Sequence, residues 1–169
     1  MEAITIAQAQ KLTSPHPFGL LCTRKEEGSC NLMAVSWWTF LSNHPPMLGV
    51  CLSKKGLSGS LIQKTGEFSL CIVDTSLRSA AKSCGSCSGR EHDKSREFGI
   101  AMQEASQIKA MLVSASRAAF ECRLVSQTEA GDHTFYLAEI LACHGDAGAR
   151  GIYSWDGYSR LDPIDSGKE

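Results

Sequence analysis

The spacing of apolar and polar residues changes several times along this chain, and each change marks an element. Ile6 to Leu12 predicts a short helix, stopped by Pro15 and Pro17. Phe18 to Thr23 reads as a strand, with Glu26-Glu27-Gly28 as a turn. Asn31 to Ser42 is rich in aromatic and β-branched residues and reads as one extended stretch. Asn43-His44-Pro45-Pro46 turns the chain, because neither proline can donate to a ladder. Met47 to Leu52 predicts a strand. Leu57 to Lys64 has helical character, with Gly66 as its C-cap. Glu67 to Val73 predicts another strand. Leu77 to Cys84 reads as a short helix with Gly85 just past its end, and Gly85 to Phe98 as a polar loop. Phe120, Cys122 and Leu124 alternate with Glu121 and Arg123, the period of a half-buried strand. Gly131-Asp132 then turns into the alternating run Thr134 to Cys143, so the two strands form an antiparallel hairpin. A last strand includes Gly157 to Leu161. Six or seven strands with small helices between them predict a mainly β protein, a closed antiparallel barrel, and the mouths of small barrels commonly hold ligands.

Composition narrows the classes. The 169 residues fit one domain, 1–169. Seventeen Lys and Arg against 18 Asp and Glu leave a net charge of −1 with no basic stripe, which argues against nucleic acid as a partner. Cys30 to Ser53 carries no charged residue, yet it is broken by Asn31, Ser36, Thr39, Ser42, Asn43 and Pro45-Pro46. It reads as buried structure, not as a membrane span. Met1-Glu2-Ala3 opens without a basic or apolar leader. The eight cysteines sit mostly in apolar stretches, as free buried thiols do, and a reducing cytoplasm is the simplest setting.

Three segments carry candidate chemistry. In Asn31-Leu32-Met33-Ala34-Val35-Ser36-Trp37-Trp38-Thr39, neighbouring tryptophans point to opposite faces of a strand. One joins the core; the other faces solvent, a ligand or a partner subunit. Asn31, Ser36 and Thr39 add amide and hydroxyl groups beside that aromatic wall. Core packing with a surface aromatic is the plain alternative. Ser53-Lys54-Lys55-Gly56-Leu57-Ser58-Gly59-Ser60 follows a strand and opens a helix, where backbone N–H groups attract anions and Ser58 can act as N-cap. It suits a phosphate monoester, or equally an ordinary capped loop with solvated lysines. The polar loop Ser88-Gly89-Arg90-Glu91-His92-Asp93-Lys94 places Arg90 and Lys94 within reach of a phosphate, or is simply solvated. Cys84-Gly85-Ser86-Cys87 has redox spacing. Cys84, however, ends a helix, where the dipole disfavours a thiolate, so a thioredoxin role is not expected. Zinc through Cys84, Cys87 and His92 lacks a second ligand pair at finger spacing, so two structural thiols and no metal are the favoured reading.

In order along the chain, these pieces resemble the flavin reductase-like, FMN-binding split-barrel family, in particular its flavoredoxin branch. The resemblance runs from about Leu12 to Ile164. Its pieces are Asn31 to Thr39, Ser42-Asn43-His44-Pro45-Pro46, Leu61-Ile62 with Thr65-Gly66-Glu67-Phe68, Ser88-Gly89-Arg90 with Asp93-Lys94, Gly131-Asp132-His133 before a strand containing Glu139, and Asp156-Gly157-Tyr158. It implies a Greek-key antiparallel split barrel with short flanking helices, and a homodimer with two FMN molecules near the subunit interface. Asn31, Ser36, Trp37, Trp38 and Thr39 would line the ring and ribityl chain. Ser53, Lys55 and Ser58 would meet the phosphate, with Lys94 reaching in from the loop and His133 approaching from the hairpin turn. A histidine in such a place is also commonly a solvated turn residue. Ser58 stands where threonine is common, Ser95 where an aromatic is usual, and Ser114 near a usual proline.

The implied activity is an oxidoreductase that takes electrons from NADH or NADPH through bound FMN to an acceptor, with FMN doing the chemistry and no side chain acting as acid, base or nucleophile. No G-x-G-x-x-G follows a strand, so a nicotinamide would bind transiently over the ring. The alternative is a flavoredoxin-type electron carrier reduced by a protein donor. A third possibility is a split barrel without flavin that serves as a binding module.

Overall fold

A computed structural model describes residues 1–164. The chain runs α1 (Ile6–Leu12), β1 (His16–Pro17), β2 (Gly19–Arg24), β3 (Cys30–Val35), β4 (Trp38–Asn43), β5 (Pro46–Ser53), α2 (Leu57–Thr65) and β6 (Glu67–Val73). After a single 3₁₀ turn at Thr75–Leu77 come α3 (Arg78–Ser86), α4 (Lys94–Glu97), β7 (Met102–Gln103), β8 (Leu112–Val113), β9 (Ser116–Ala130), β10 (His133–Gly145), β11 (Tyr153–Ser154) and β12 (Leu161–Asp162).

Seven strands form one antiparallel sheet in the order β3-β2-β6-β9-β10-β5-β4. The order is not sequential: β6 returns to lie beside β2, and the β9–β10 hairpin fills the gap between β6 and β5. The two edge strands, β3 and β4, are neighbours in the chain. Only Ser36 and Trp37 separate them. Three peptide steps from Val35 to Trp38 span at most about 11 Å, so the sheet must roll up until its edges nearly meet. It closes through this short strap and not through a ladder, which makes the fold a split barrel. The expected single stretch from Asn31 to Ser42 is therefore two strands on opposite edges. Local pattern could not show the break, since the residues on both sides favour extended backbone.

Alternation along the strands gives two cores. Leu21 of β2 faces the barrel interior with Leu48, Val50, Phe68, Leu70 and Cys122. Its neighbours Leu20 and Cys22 face outward, under α3 and the segment that carries Ile100, Leu112 and Val113. Each fully buried Leu or Phe contributes roughly 1.5–3 kcal/mol, so both layers hold β2 and β6 in place.

Several boundaries agree with the pattern. Helix α1 and strand β6 fall on the expected residues, and Gly66 caps α2 with φ 71°. Other expectations need correction. Helix α3 runs on through Ser86, so Gly85 is not a cap but a helical residue at a close approach. A Cβ there would lie 3.1 Å from the Tyr158 ring and 3.3 Å from Ala34 Cβ. The polar loop after it contains α4, whose N-cap Asp93 accepts from the Arg96 N–H at 3.3 Å. The last expected strand is displaced: Gly157 (φ 53°) turns between β11 and β12.

Glu121 departs from the alternation most. Its strand position predicts solvent, yet it is fully buried beneath a segment from elsewhere in the chain. It accepts from the Ser106 N–H (2.9 Å) and hydroxyl (3.0 Å), the Gln107 N–H (2.6 Å) and His144 Nε2 (2.7 Å). Burial pushes this carboxyl's pKa up, but the hydrogen bonds outweigh burial and hold it below the ordinary glutamate value.

Candidate functional site

A cavity of about 670 Å³ opens along the split of the barrel. That is a common size for a cofactor or drug-sized ligand. One wall is aromatic. Trp37, on the strap, packs its ring against His133 at 4.8 Å, tilted by 35°. His133 begins β10, and its Nδ1 lies 2.7 Å from the Asp132 carboxylate. Across the cavity, Tyr158 donates its hydroxyl to the Ala34 carbonyl (3.2 Å), which fixes the ring against β3 and α3.

The other end is polar and rigid. Asn31, almost fully buried on β3, donates from Nδ2 to Thr23 Oγ1 (3.1 Å) and Ser58 Oγ (2.9 Å). This ties the edge strand to the start of α2. Gly89 lies against the same carboxamide, where any Cβ would collide with Asn31 Oδ1. The glycine lets the 88–94 loop close over the cavity. Ser58 is not the helix N-cap: Gly56 takes that position with no side-chain cap, and Ser58 lies inside the helix, held by Asn31. The first N–H groups of α2 are thus left without a capping acceptor at the positive end of its dipole. Lys54 turns away to Glu129 (2.9 Å), so Lys55 is the lysine of the pair that lines the cavity, with Ser53 beside it. Arg90 donates to the Lys55 carbonyl at 3.2 Å, which brings the guanidinium to this end.

Lys94 is buried in the cavity wall. Its Nζ donates to the Cys84 carbonyl at 2.7 Å, at the C-terminal end of α3, where the helix dipole favours a cation. Burial lowers its pKa, and the charge of Lys25 adds to this. The thiols of Cys84 and Cys87 act in the opposite sense.

The cavity thus brings together Asn31, Ser36, Trp37, Ser53, Lys55, Ser58, Lys94 and His133. Trp38 and Thr39 do not border it. Trp38 points into the barrel, its ring 6.3 Å from that of Phe120 and its Nε1 donating to the Pro17 carbonyl. Thr39, opposite Gly49, lies exposed on the edge strand. Trp37, on the strap, and Trp38, the first residue of β4, thus point to different surroundings. Cys51, which had no functional reading in the sequence, also borders the cavity, as do Cys84 and Cys87, which were read there as structural thiols. The parity of Cys51 with Ser53 along β5 is the one signal that points to it. Among the described residues no group of three or more His, Cys, Asp or Glu side chains is placed to hold a metal ion, and His92 pairs with Glu97 at 2.8 Å.

The chain belongs to the flavin reductase like domain family, whose model matches residues 12–162. An uncharacterized protein of Archaeoglobus fulgidus is 33% identical over 118 residues, 69% of this chain and 67% of that protein. Two further archaeal relatives are matched over only 55% and 64% of their own lengths, so this chain corresponds to part of each. Among solved structures, the flavoredoxin of Methanosarcina acetivorans is 28% identical with a TM-score of 0.76, covering 87% of this chain and 77% of that one. The FMN-binding protein of Thermus thermophilus, solved with 1-cyclohex-2-enone, shares the fold at 21% identity and a TM-score of 0.84, covering 96% and 94%. The protein is therefore a flavin reductase-like split barrel with flavoredoxin relatives.

Proposed function

We infer that the cleft along the split holds FMN and that the protein is an oxidoreductase passing electrons from NADH or NADPH through it. One observation carries this reading: a single cavity joins an aromatic wall at Trp37 to an uncapped helix N-terminus beside Lys55. A flavin ring needs the first and its phosphate the second. Bound FMN would supply reversible two-electron chemistry. The protein's own groups bind and orient it. Asn31 and Ser58 fix the polar end, Ser53, Lys55 and Arg90 meet the phosphate, and Trp37 with His133 screens one ring face from water. Lys94 places a positive charge beside the cavity, which favours a reduced, anionic ring. Phe40 and Leu41 on β4 and Val125 within β9 expose large apolar surface. They support a homodimer in which Trp38 and Thr39 lie near the interface. Eight free cysteines suit a reducing cytoplasm.

The 28% identity to a flavoredoxin favours a second reading, an electron carrier reduced by a protein donor. An anaerobic visible spectrum separates the two. Flavin bands that bleach on adding NADH or NADPH support the reductase. Bands that persist until dithionite is added support the carrier. No flavin retained after soaking with FMN and desalting refutes both.

A further inference from the structure

Two thiols that the flavin reading leaves unused stand in the wall of the same cleft. Cys84 lies in the last turn of α3, and Cys87 ends the helix with extended backbone (φ −136°, ψ 163°). Gly85 and Ser86 are helical, so the two Cα atoms are one turn apart, roughly 5 Å. That falls within the roughly 4.4–6.8 Å that a disulfide spans. Cys87 Sγ folds back along the helix to the Ser83 carbonyl at 3.4 Å, beside Cys84. Both residues line the cavity; Cys84 is 2% exposed and Cys87 half-buried. The buried Lys94 ammonium holds the Cys84 carbonyl, and its charge reaches both sulfurs. By contrast, Cys71 and Cys122 are buried in the cores.

We propose that Cys84 and Cys87 form a redox-active dithiol that exchanges two electrons with the flavin bound in this cleft; only the electron partner rests on the flavin reading. Reduction breaks the Cys84–Cys87 S–S bond. Two electrons and one proton leave the reduced, anionic FMN, a second proton comes from water at the mouth of the cleft, and both sulfurs end as thiols. In the opposite direction the S–S bond forms as two electrons and one proton pass to oxidised FMN and the second proton goes to water. Cys87 is the accessible sulfur and the one that meets an external thiol or disulfide. Cys84 is the buried partner that closes or releases the bond. Burial pushes the Cys84 thiol up to about 11, so Cys84 stays protonated when the pair is reduced.

The test uses the full-length protein, both FMN-loaded and stripped. Each form is equilibrated without oxygen in mixtures of reduced and oxidised dithiothreitol, quenched in acid, alkylated and mapped by mass spectrometry. The Cys84–Cys87 peptide should pass from fully alkylated to disulfide-bonded as the mixture becomes oxidising. Cys71 and Cys122 should stay free. Two free thiols at the most oxidising ratio overturn the proposal, whether or not FMN binds. One equivalent of pre-reduced FMN is then added without oxygen to stripped protein carrying the disulfide. Oxidised-flavin absorbance should appear, one flavin per disulfide, with two new thiols. Cys87→Ser, a near-isosteric change at a half-buried site, cannot form the bond and should leave the added flavin reduced and colourless, while exposed Cys143→Ser reacts as the wild type does. A persisting disulfide and a colourless flavin overturn the electron exchange. A disulfide that forms in a protein unable to bind FMN overturns the exchange and the cofactor reading together, yet leaves the dithiol standing.

Discussion

Two buried charges in this molecule are held in opposite ways. Glu121 is sealed under the 106–107 segment, with four hydrogen bonds on its two oxygens. Lys94 is almost as deeply buried, yet among the described residues its ammonium has one acceptor, the Cys84 carbonyl. A buried charge costs several kcal/mol unless its bonding capacity is filled. Glu121 is filled and serves the fold, fastening a distant segment to β9. Lys94 keeps donors unused at the edge of a cavity, and that is where a ligand can complete its shell. Under-satisfaction, not burial alone, separates the charge open to a ligand from the structural one.

Removing each charge should break this contrast cleanly. Glu121→Ala orphans the Ser106 and Gln107 N–H groups and should destabilise the protein by about 3 kcal/mol. A thermal melt should then fall by roughly 6–12 °C, while FMN affinity well below the melt changes less than about threefold. A melt within about 2 °C of wild type would show that the 106–107 segment does not depend on this carboxylate. Lys94→Met should do the reverse, with stability within about 1 kcal/mol of wild type and FMN affinity lower by roughly tenfold in a fluorescence titration. Equal affinity would move Lys94 to the structural class. Lys55→Ala should weaken FMN by roughly threefold to tenfold in low salt and less at high salt, and leave riboflavin binding unchanged. A parallel loss for riboflavin would place Lys55 at the ring and not at the phosphate.

The smallest effects lie in the pH dependence. The folded pKa of Glu121 is lowered, so its stabilisation is complete above the ordinary value of 4.5 and is lost as pH falls through the folded pKa. The folded pKa of Lys94 is lowered too, so the unfolded chain binds the extra proton just below 10.5 and stability rises with pH in that alkaline window. Comparing wild-type and Lys94→Met melts across pH should show the alkaline rise only in wild type, with the acid limb shared. An alkaline rise that survives in the variant assigns it to another group.

Much of the fold was legible because its signals are local. Proline pairs, the αL glycine at 66 and the alternation of β10 all act within a few residues. The split was not legible, since Ser36 and Trp37 differ from a continuous strand only in what lies far away. Glu121 misled for the same reason: between Phe120 and Cys122 it sits at a polar position, and the segment that buries it begins 15 residues earlier. At the site, residue type pointed to Asn31, Ser58 and Lys55, whose chemistry suits a polar cofactor edge. The placement of Cys84 and Cys87 was hidden, because spacing alone shows that two sulfurs can meet but not what they face.

The split has one more result. A barrel that closes without a ladder keeps two unpaired strand edges, which are templates for strand addition by another chain. The edge of β3 lies in the cleft wall, with α3 and the 88–94 loop close by. Among the described residues the edge of β4 has no such cover and shows Phe40 and Leu41 to solvent. The device that opens a cleft on one side of the strap therefore leaves, on the other, an apolar edge that a second copy of this chain can cover.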